Sequence, residues 1–317
     1  MGVEKTKKTS KQFKWAVCLI IFLFCIVIGF EAAFGWSVLS YLNSPKTEVA
    51  YNVTEEQPDP PQIDPVVEEP PEEIDFQSVV DSWVTATRGN KSIMIYDLAL
   101  KHVVGAYNVE SDYSTASLYK LFVVYEGYRR VSNGEWDGSS QAGYTGKTII
   151  ECLDLAIRES NSDCGETLWS MIGRGTLDDI IANEWTIVSS AISKLVSNPN
   201  DIMLMMKRFY DHPDFNNQEL LSRMWDSFLN QPVTEYDWRQ GLPSGFSKAS
   251  VYNKVGWNYL PDEEYWEIYH DAAIVKFPLE NGKTRDFVVV VMTNEIDFRN
   301  IRKFGEMLEE KFYEGKI

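Results

Sequence analysis

The sequence predicts an α+β domain: one antiparallel sheet, built from strands near both ends of the folded part and flanked by terminal helices, with an all-helical lobe between them. Three observations carry this. Two short β-type runs, Ser92–Asp97 and His102–Tyr107, come early and are joined by a turn-length connection. Three more, Ser250–Trp257, Tyr269–Phe277 and Phe287–Thr293, come late. The stretch from Ser117 to about Asn230 instead spaces its apolar residues as helices do. Such a layout leaves a cleft between sheet and lobe, where ligands are commonly held.

Taken in order, the first 73 residues stand outside that domain. Residues 1–14 carry Lys5, Lys7, Lys8, Lys11 and Lys14 against Glu4. Trp15–Phe30 carry no charge, and apart from Glu31 the apolar character runs to Leu42. Roughly 20 apolar residues span a bilayer core as a helix. Residues 15–42 are therefore expected to form an uncleaved transmembrane signal anchor. The basic 1–14 segment would stay cytoplasmic, making a single-pass membrane protein with its N-terminus inside and its domain extracytoplasmic. A cleaved signal peptide lacks a clear small-x-small site here, and a lipoprotein lacks small residues before Cys18 and Cys25. Residues 43–73 hold seven of the 13 prolines and nine carboxylates against Lys46. Proline and like charge extend a chain without folding it, so this reads as a disordered spacer.

The domain is expected over 74–317. Phe76–Arg88 reads as an amphipathic helix closed by Gly89, and the first two strands follow. Thr148–Leu168, Leu177–Ala182 and Asp201–Tyr210 show helical spacing, and Phe298–Tyr313 closes the chain as an amphipathic helix. The whole chain has 30 Lys plus Arg against 47 Asp plus Glu, net −17, and residues 74–317 keep 24 against 36, or −12. An acidic domain repels nucleic acid, which is not expected as a partner. Cys152 and Cys164 are about 18 Å apart on an unbroken helix, too far for a disulfide. A bridge needs a break between them, and spacing alone leaves bridge and buried free thiols both open.

Ser117 and Lys120, in Ser114-Thr-Ala-Ser-Leu-Tyr-Lys120, carry the chemistry. If a helix begins near Ser117, a lysine three residues on shares its face. A serine hydroxyl is a poor nucleophile until a base takes its proton, and a lysine desolvated by burial can do so. Leu118, Leu121, Phe122, Val123 and Val124 make this a buried helix, where a lysine is expensive without a role or a partner. Two further stretches could face the same cleft. Ala156–Cys164 places a polar stop, Glu159-Ser-Asn-Ser-Asp163, inside an apolar helical pattern. Lys254-Val-Gly-Trp257 sets a cation beside a bare backbone on a strand. Alone, each also fits an ordinary turn or an edge-strand lysine.

The ordered triple resembles the penicillin-recognising serine hydrolases. It is most similar to the class A β-lactamases, whose signature is Ser-x-x-Lys, Ser-Asp-Asn and Lys-Thr-Gly. The resemblance covers about 74–317 and includes Tyr269–Val275 as the strand after the third motif. It implies that Ser117 is acylated, with Lys120 as base, Ser160 passing a proton to the leaving nitrogen, and Lys254 holding the substrate carboxylate. The N–H groups of Ser117 and Trp257 would form the oxyanion hole. Ser162, Val255 and Gly256 would line the substrate. Reading Ser160 rather than Ser162 as the motif serine keeps Ile157 three residues before it and Leu168 eight after. Ser162 then stands where the family has asparagine, and Val255 where it has threonine. The implied substrate is a β-lactam or a related cell-wall-type acyl-D-amino peptide, with no cofactor.

One departure bears on the reaction. Class A β-lactamases activate the deacylating water with a glutamate on a loop after the second motif, and between Glu184 and Glu219 this chain has no glutamate. Slow turnover follows, and a D-alanyl-D-alanine carboxypeptidase-like penicillin-binding protein is the alternative, with a non-catalytic cell-wall peptide sensor the third reading. Other chemistries fare worse. His102, His212 and His270 show no metal-ligand spacing, Ser117 lacks a Gly-x-Ser-x-Gly elbow, and glycine-rich phosphate loops do not occur.

Overall fold

A computed structural model describes residues 72–231, 239–260 and 266–314. The expected basic segment and anchor, and nearly all of the spacer, lie outside the described residues. Among those described, no helix is long and apolar enough to cross a membrane.

The elements run α1 (Gln77–Ala86), β1 (Asn90–Asp97), β2 (His102–Tyr107), β3 (Tyr113–Ser114), α2 (Tyr119–Ser132), α3 (Ile149–Arg158), α4 (Ser162–Ile172) and α5 (Arg174–Asn183). They continue with β4 (Val196–Ser197), α6 (Pro199–Asp211), α7 (Gln218–Leu229), α8 (Leu242–Gly245), β5 (Ser250–Leu260), β6 (Trp266–Pro278), β7 (Thr284–Asn294) and α9 (Phe298–Tyr313). Five strands form one sheet in the order β2-β1-β7-β6-β5, every neighbouring pair antiparallel. The early and late strands thus meet where β1 pairs β7.

β7 shows why. Phe287-Val-Val-Val-Val-Met292 has no polar face, which suits a strand covered on both sides. Its residues alternate between two cores. Val288, Val290 and Met292 join Met94, Ala272 and Ile274 beneath the helical lobe. Phe287, Val289 and Val291 join Ile93, Ile95, Ala273 and Val275 beneath α1 and α9. Each such side chain, fully buried, contributes roughly 1.5–3 kcal/mol. The terminal helices touch directly: the Trp83 and Phe304 rings are 5.2 Å apart, and Trp83 Nε1 donates to the Asn300 carbonyl at 2.9 Å. Phe304→Ala would cost about 3–5 kcal/mol there.

In the lobe, α2 is buried from Tyr119 through Tyr128, and a helix covered all round is a core element. The apolar spacing over Thr148–Leu168 does not make one helix. A capping box of Thr148 and Glu151 starts α3, and the Asn161 side chain, accepting from Cys164 N at 2.9 Å, starts α4. Between them Ser160 takes a left-handed backbone (φ 54°). That break brings Cys152 and Cys164 to a Cα–Cα distance of 4.8 Å, and they form a disulfide tying α3 to α4.

Candidate active site

Ser117 lies in a 3₁₀ turn, Ala116–Leu118, that leads into α2, not in an α-helix of its own. With three residues per turn, positions i and i+3 eclipse. Lys120 Nζ accordingly donates to Ser117 Oγ at 2.9 Å. The turn is held from three sides. Thr115 N–H donates to the Leu195 carbonyl at 2.8 Å, beside the two-residue β3–β4 ladder. His270 Nε2 lies 2.8 Å from the Ser114 carbonyl while its Nδ1 accepts from Thr293 N–H at 3.0 Å. An Nδ1 that accepts carries no proton, so Nε2–H is the donor, and burial pushes the imidazole down to about 4 and keeps it neutral. On the third side is Gly256, where a Cβ would sit 2.8 Å from the Thr115 carbonyl and 3.0 Å from Leu118 Cγ. Only glycine lets β5 approach so closely. These contacts hold Ala116 in a left-handed conformation (φ 43°) that costs roughly 1–2 kcal/mol.

Lys120 is 1% exposed. Its Nζ also donates to the Ser160 carbonyl at 2.7 Å and to Ser162 Oγ at 3.4 Å. Burial lowers it from 10.5 to about 8, against a weaker upward pull from Glu166. Near neutral pH a minority of such side chains are free amine, and an amine 2.9 Å from a hydroxyl can take its proton. Lys254, also 1% exposed, donates to Ser160 Oγ at 2.9 Å and to the Val255 carbonyl at 2.7 Å. It is held well below the usual lysine range, first by burial and next by the charge of Lys120, with Asp271 opposing. An arriving carboxylate would offset that burial.

Ser117, Lys120, Ser160 and Lys254 therefore form one hydrogen-bonded chain: hydroxyl, amine, a second serine, second amine. It is the Ser160 hydroxyl, not that of Ser162, that meets Lys254. Ser162 is the first residue of α4 and is exposed. Val255 shares its strand face with Val251 and pairs with Asp271, opposite the face that carries Lys254 and Gly256, so its side chain points away from Ser117. Trp257 follows Gly256 and pairs with Tyr269 on β6. A groove of about 530 Å³ elsewhere, lined by Ser78, Ser82, Lys248 and Tyr313, belongs to the α1–α9 side of the sheet and holds no nucleophile–base pair.

A family model described as the β-lactamase enzyme family matches residues 75–308. The chain belongs to that family. No curated protein matches it. Among solved structures it is similar to an ancestral class A β-lactamase, GNCA, at 14% identity and TM-score 0.63, covering 74% of this chain and 99% of that one. It is similar to PBP-A at 18% identity and TM-score 0.60, covering 75% and 96%. A β-lactamase from Desulfarculus baarsii DSM 2075 matches at 12% identity and TM-score 0.60, covering 74% and 96%. At such identities these likenesses speak for the fold.

Within this β-lactamase-family fold, residues 184–198 join α5 to α6 and carry one carboxylate, Glu184. It caps α5 and acts on Arg129, about 13 Å along α2 from Lys120 at 1.5 Å per residue. Buried Asp201, at the start of α6, accepts from Ser190 Oγ at 2.9 Å and anchors the loop. The carboxylate whose field reaches Lys120 is Glu166 on α4, which sequence reasoning missed. Its spacing from Ser162, one helical turn on the same face, was the available signal.

Proposed function

We propose that the domain is an active-site serine hydrolase that forms an acyl-Ser117 intermediate with β-lactams or related acyl-D-amino peptides. The observation that carries this is the hydrogen-bonded chain from Ser117 Oγ through Lys120 Nζ and Ser160 to Lys254 Nζ. Lys120, as free amine, removes the Ser117 proton while Oγ attacks the carbonyl carbon. The N–H groups of Ser117 and Trp257 receive the oxyanion. When the C–N bond breaks, the nitrogen takes the Ser160 hydroxyl proton, which Lys254, bonded to that hydroxyl, replaces, while Lys120 keeps the proton taken from Ser117. Lys254 first binds the substrate carboxylate, and Gly256 and Ser162 border the bound chain. Water later cleaves the ester.

The second reading, a D-alanyl-D-alanine carboxypeptidase-like penicillin-binding protein, gains from one observation: the 184–198 loop brings no carboxylate to Lys120. Acylation then outruns hydrolysis, and the acyl-enzyme persists. Residues 15–42 would hold the domain outside the cytoplasmic membrane, next to a cell-wall-type substrate, with 43–73 as the spacer.

A fluorescent penicillin tests this. Wild type should retain the label covalently and Ser117→Ala should not, with the adduct mapped to the Ser117 peptide by mass spectrometry. Equal labelling of the two proteins would refute acylation at Ser117. Label lost within seconds would favour the β-lactamase, and label kept for hours the penicillin-binding reading.

A further inference from the structure

Glu166 and Arg174 take no part in the scheme above, yet they are built into the wall of the Lys120 pocket. Gly165 makes the contact. A Cβ there would lie 2.8 Å from Lys120 Cε and 2.9 Å from the Tyr119 hydroxyl, so α4 presses its bare backbone onto the lysine stem. The next residue, Glu166, accepts from Arg174 Nη2 at 2.6 Å, and its charge acts on the Tyr119 hydroxyl. Arg174 in turn stacks 4.2 Å above Trp169, whose ring is 4.8 Å from that of Tyr119. Tyr119 is buried, and its ring lies 5.4 Å from Lys120 Nζ. A partly exposed ion pair is thus braced, through one buried aromatic wedge, against the base of the proposed reaction.

Around Lys120, the 3₁₀ turn offers the Ser117 hydroxyl and α2 that of Tyr119. The 159–161 turn offers the Ser160 carbonyl, with Glu159 exposed beside Arg158. α4 offers Ser162, exposed Asp163 and Glu166, α5 offers Arg174, and β5 offers Lys254. Of these, Glu166 is the charge that acts on Lys120, while Lys254 is lowered by Lys120 and raised by Asp271 of β6. Arg174 sits on Glu166 and cancels part of its field.

We propose that the Glu166–Arg174 pair sets how readily Lys120 accepts the Ser117 proton, so that neutralising either member moves the pH of acylation, in opposite directions. These are positioning residues, since neither hydrogen-bonds Ser117 or Ser160. The proposal rests on the serine-acylation reading. Removing the carboxylate leaves the ammonium less stabilised and frees the amine at lower pH. Removing the guanidinium leaves the carboxylate uncancelled and does the reverse. Across a partly hydrated wall, an effect of about half a pH unit is expected, or about threefold in rate on the acid limb.

The test uses the full-length chain, with pseudo-first-order labelling by a fluorescent penicillin followed from pH 5.5 to 9.5. Glu166→Gln should move the acid limb down by about half a unit and label about threefold faster at pH 6. Arg174→Gln should move it up and label about threefold slower. The double variant should return near wild type. Both sites are about half exposed, so melting temperatures should stay close to wild type. Titration of the Lys120 ¹³Cε signal, assigned through Lys120→Arg, should shift in the same order. Coincident limbs and titrations, or shifts of one sign in both single variants, would overturn the proposal. If wild type takes no label, the serine-acylation reading fails instead, and the ¹³Cε titration alone decides the tuning.

Discussion

The molecule buries cations in two ways. Arg285, under the β1–β2 turn, lies on Asp97, with Nε 3.1 Å from Oδ2, and Asp97 also accepts the N–H groups of Ala99 and Leu100 at 2.9 Å. Fully buried Glu126 likewise takes Arg129 Nε and Arg130 Nε at 2.6 Å each. Each charge there meets its opposite, as a desolvated charge must if it is to stay charged. Lys120 and Lys254 are buried as deeply, but their hydrogen bonds run to hydroxyls and carbonyls, and the fields of Glu166 and Asp271 reach them without outweighing burial. Both lysines are therefore held below their usual range. A fold that pairs charge directly at Arg285 and Glu126 but gives these two lysines no hydrogen-bonded carboxylate keeps them nearer the free amine.

Four experiments would break or sharpen that contrast. The largest effect is expected from Lys120→Met. Loss of the proposed base should cut acylation by about 10²–10⁴-fold, measured by penicillin labelling. Because lowering the lysine from 10.5 to about 8 costs roughly 3 kcal/mol, the same variant should melt higher than wild type. A large fall in melting temperature would make Lys120 a structural residue. Arg285→Met is the converse: uncompensated Asp97 should cost about 3–5 kcal/mol in urea unfolding, with labelling of the folded protein unchanged. A third measurement uses pH. Below about 8 the ammonium is present in folded and unfolded chains alike, and the fold bears its full burial cost. Between about 8 and 10.5 only the unfolded chain holds that proton, so stability should rise with pH across this window. The wild-type increment should exceed that of Lys120→Met by up to about 3 kcal/mol, while the labelling rate should climb toward a plateau above pH 8. The smallest effect is expected from Ser162→Ala. Its hydroxyl is 3.4 Å from Lys120 Nζ, a long bond, and about threefold slower labelling is expected. A hundredfold loss would mean that Ser162 takes part in the proton transfer and does not merely border the substrate.

Much of this was legible in the chain, for reasons that differ by element. The five strands and the closing helix follow from residue alternation and helical spacing, which burial enforces on each face of β7 and α9. Ser117 with Lys120 was legible because three residues of separation bring the two side chains together in either a 3₁₀ or an α-helical turn. The Lys254–Ser160 contact, across 94 residues, was readable only through resemblance. Spacing could not show the break at Ser160, because apolar positions remain in helical phase on both sides of it, and for the same reason it left the Cys152–Cys164 bond open. The β3–β4 ladder was too short to register as a pattern. Glu166 escaped because surface glutamates on helices are common, and only the bareness of Gly165 against Lys120 distinguishes this one.

The contact between Trp83 and Phe304 has a consequence for how the chain matures. These residues stand at opposite ends of the domain, and the side of the sheet they cover stays bare until both helices are present. A chain lacking residues 298–313 would expose Phe287, Val289 and Val291 to any passing hydrophobic partner. Closure of that layer waits on α9, so truncation or clipping before it should yield aggregates rather than a shortened working domain.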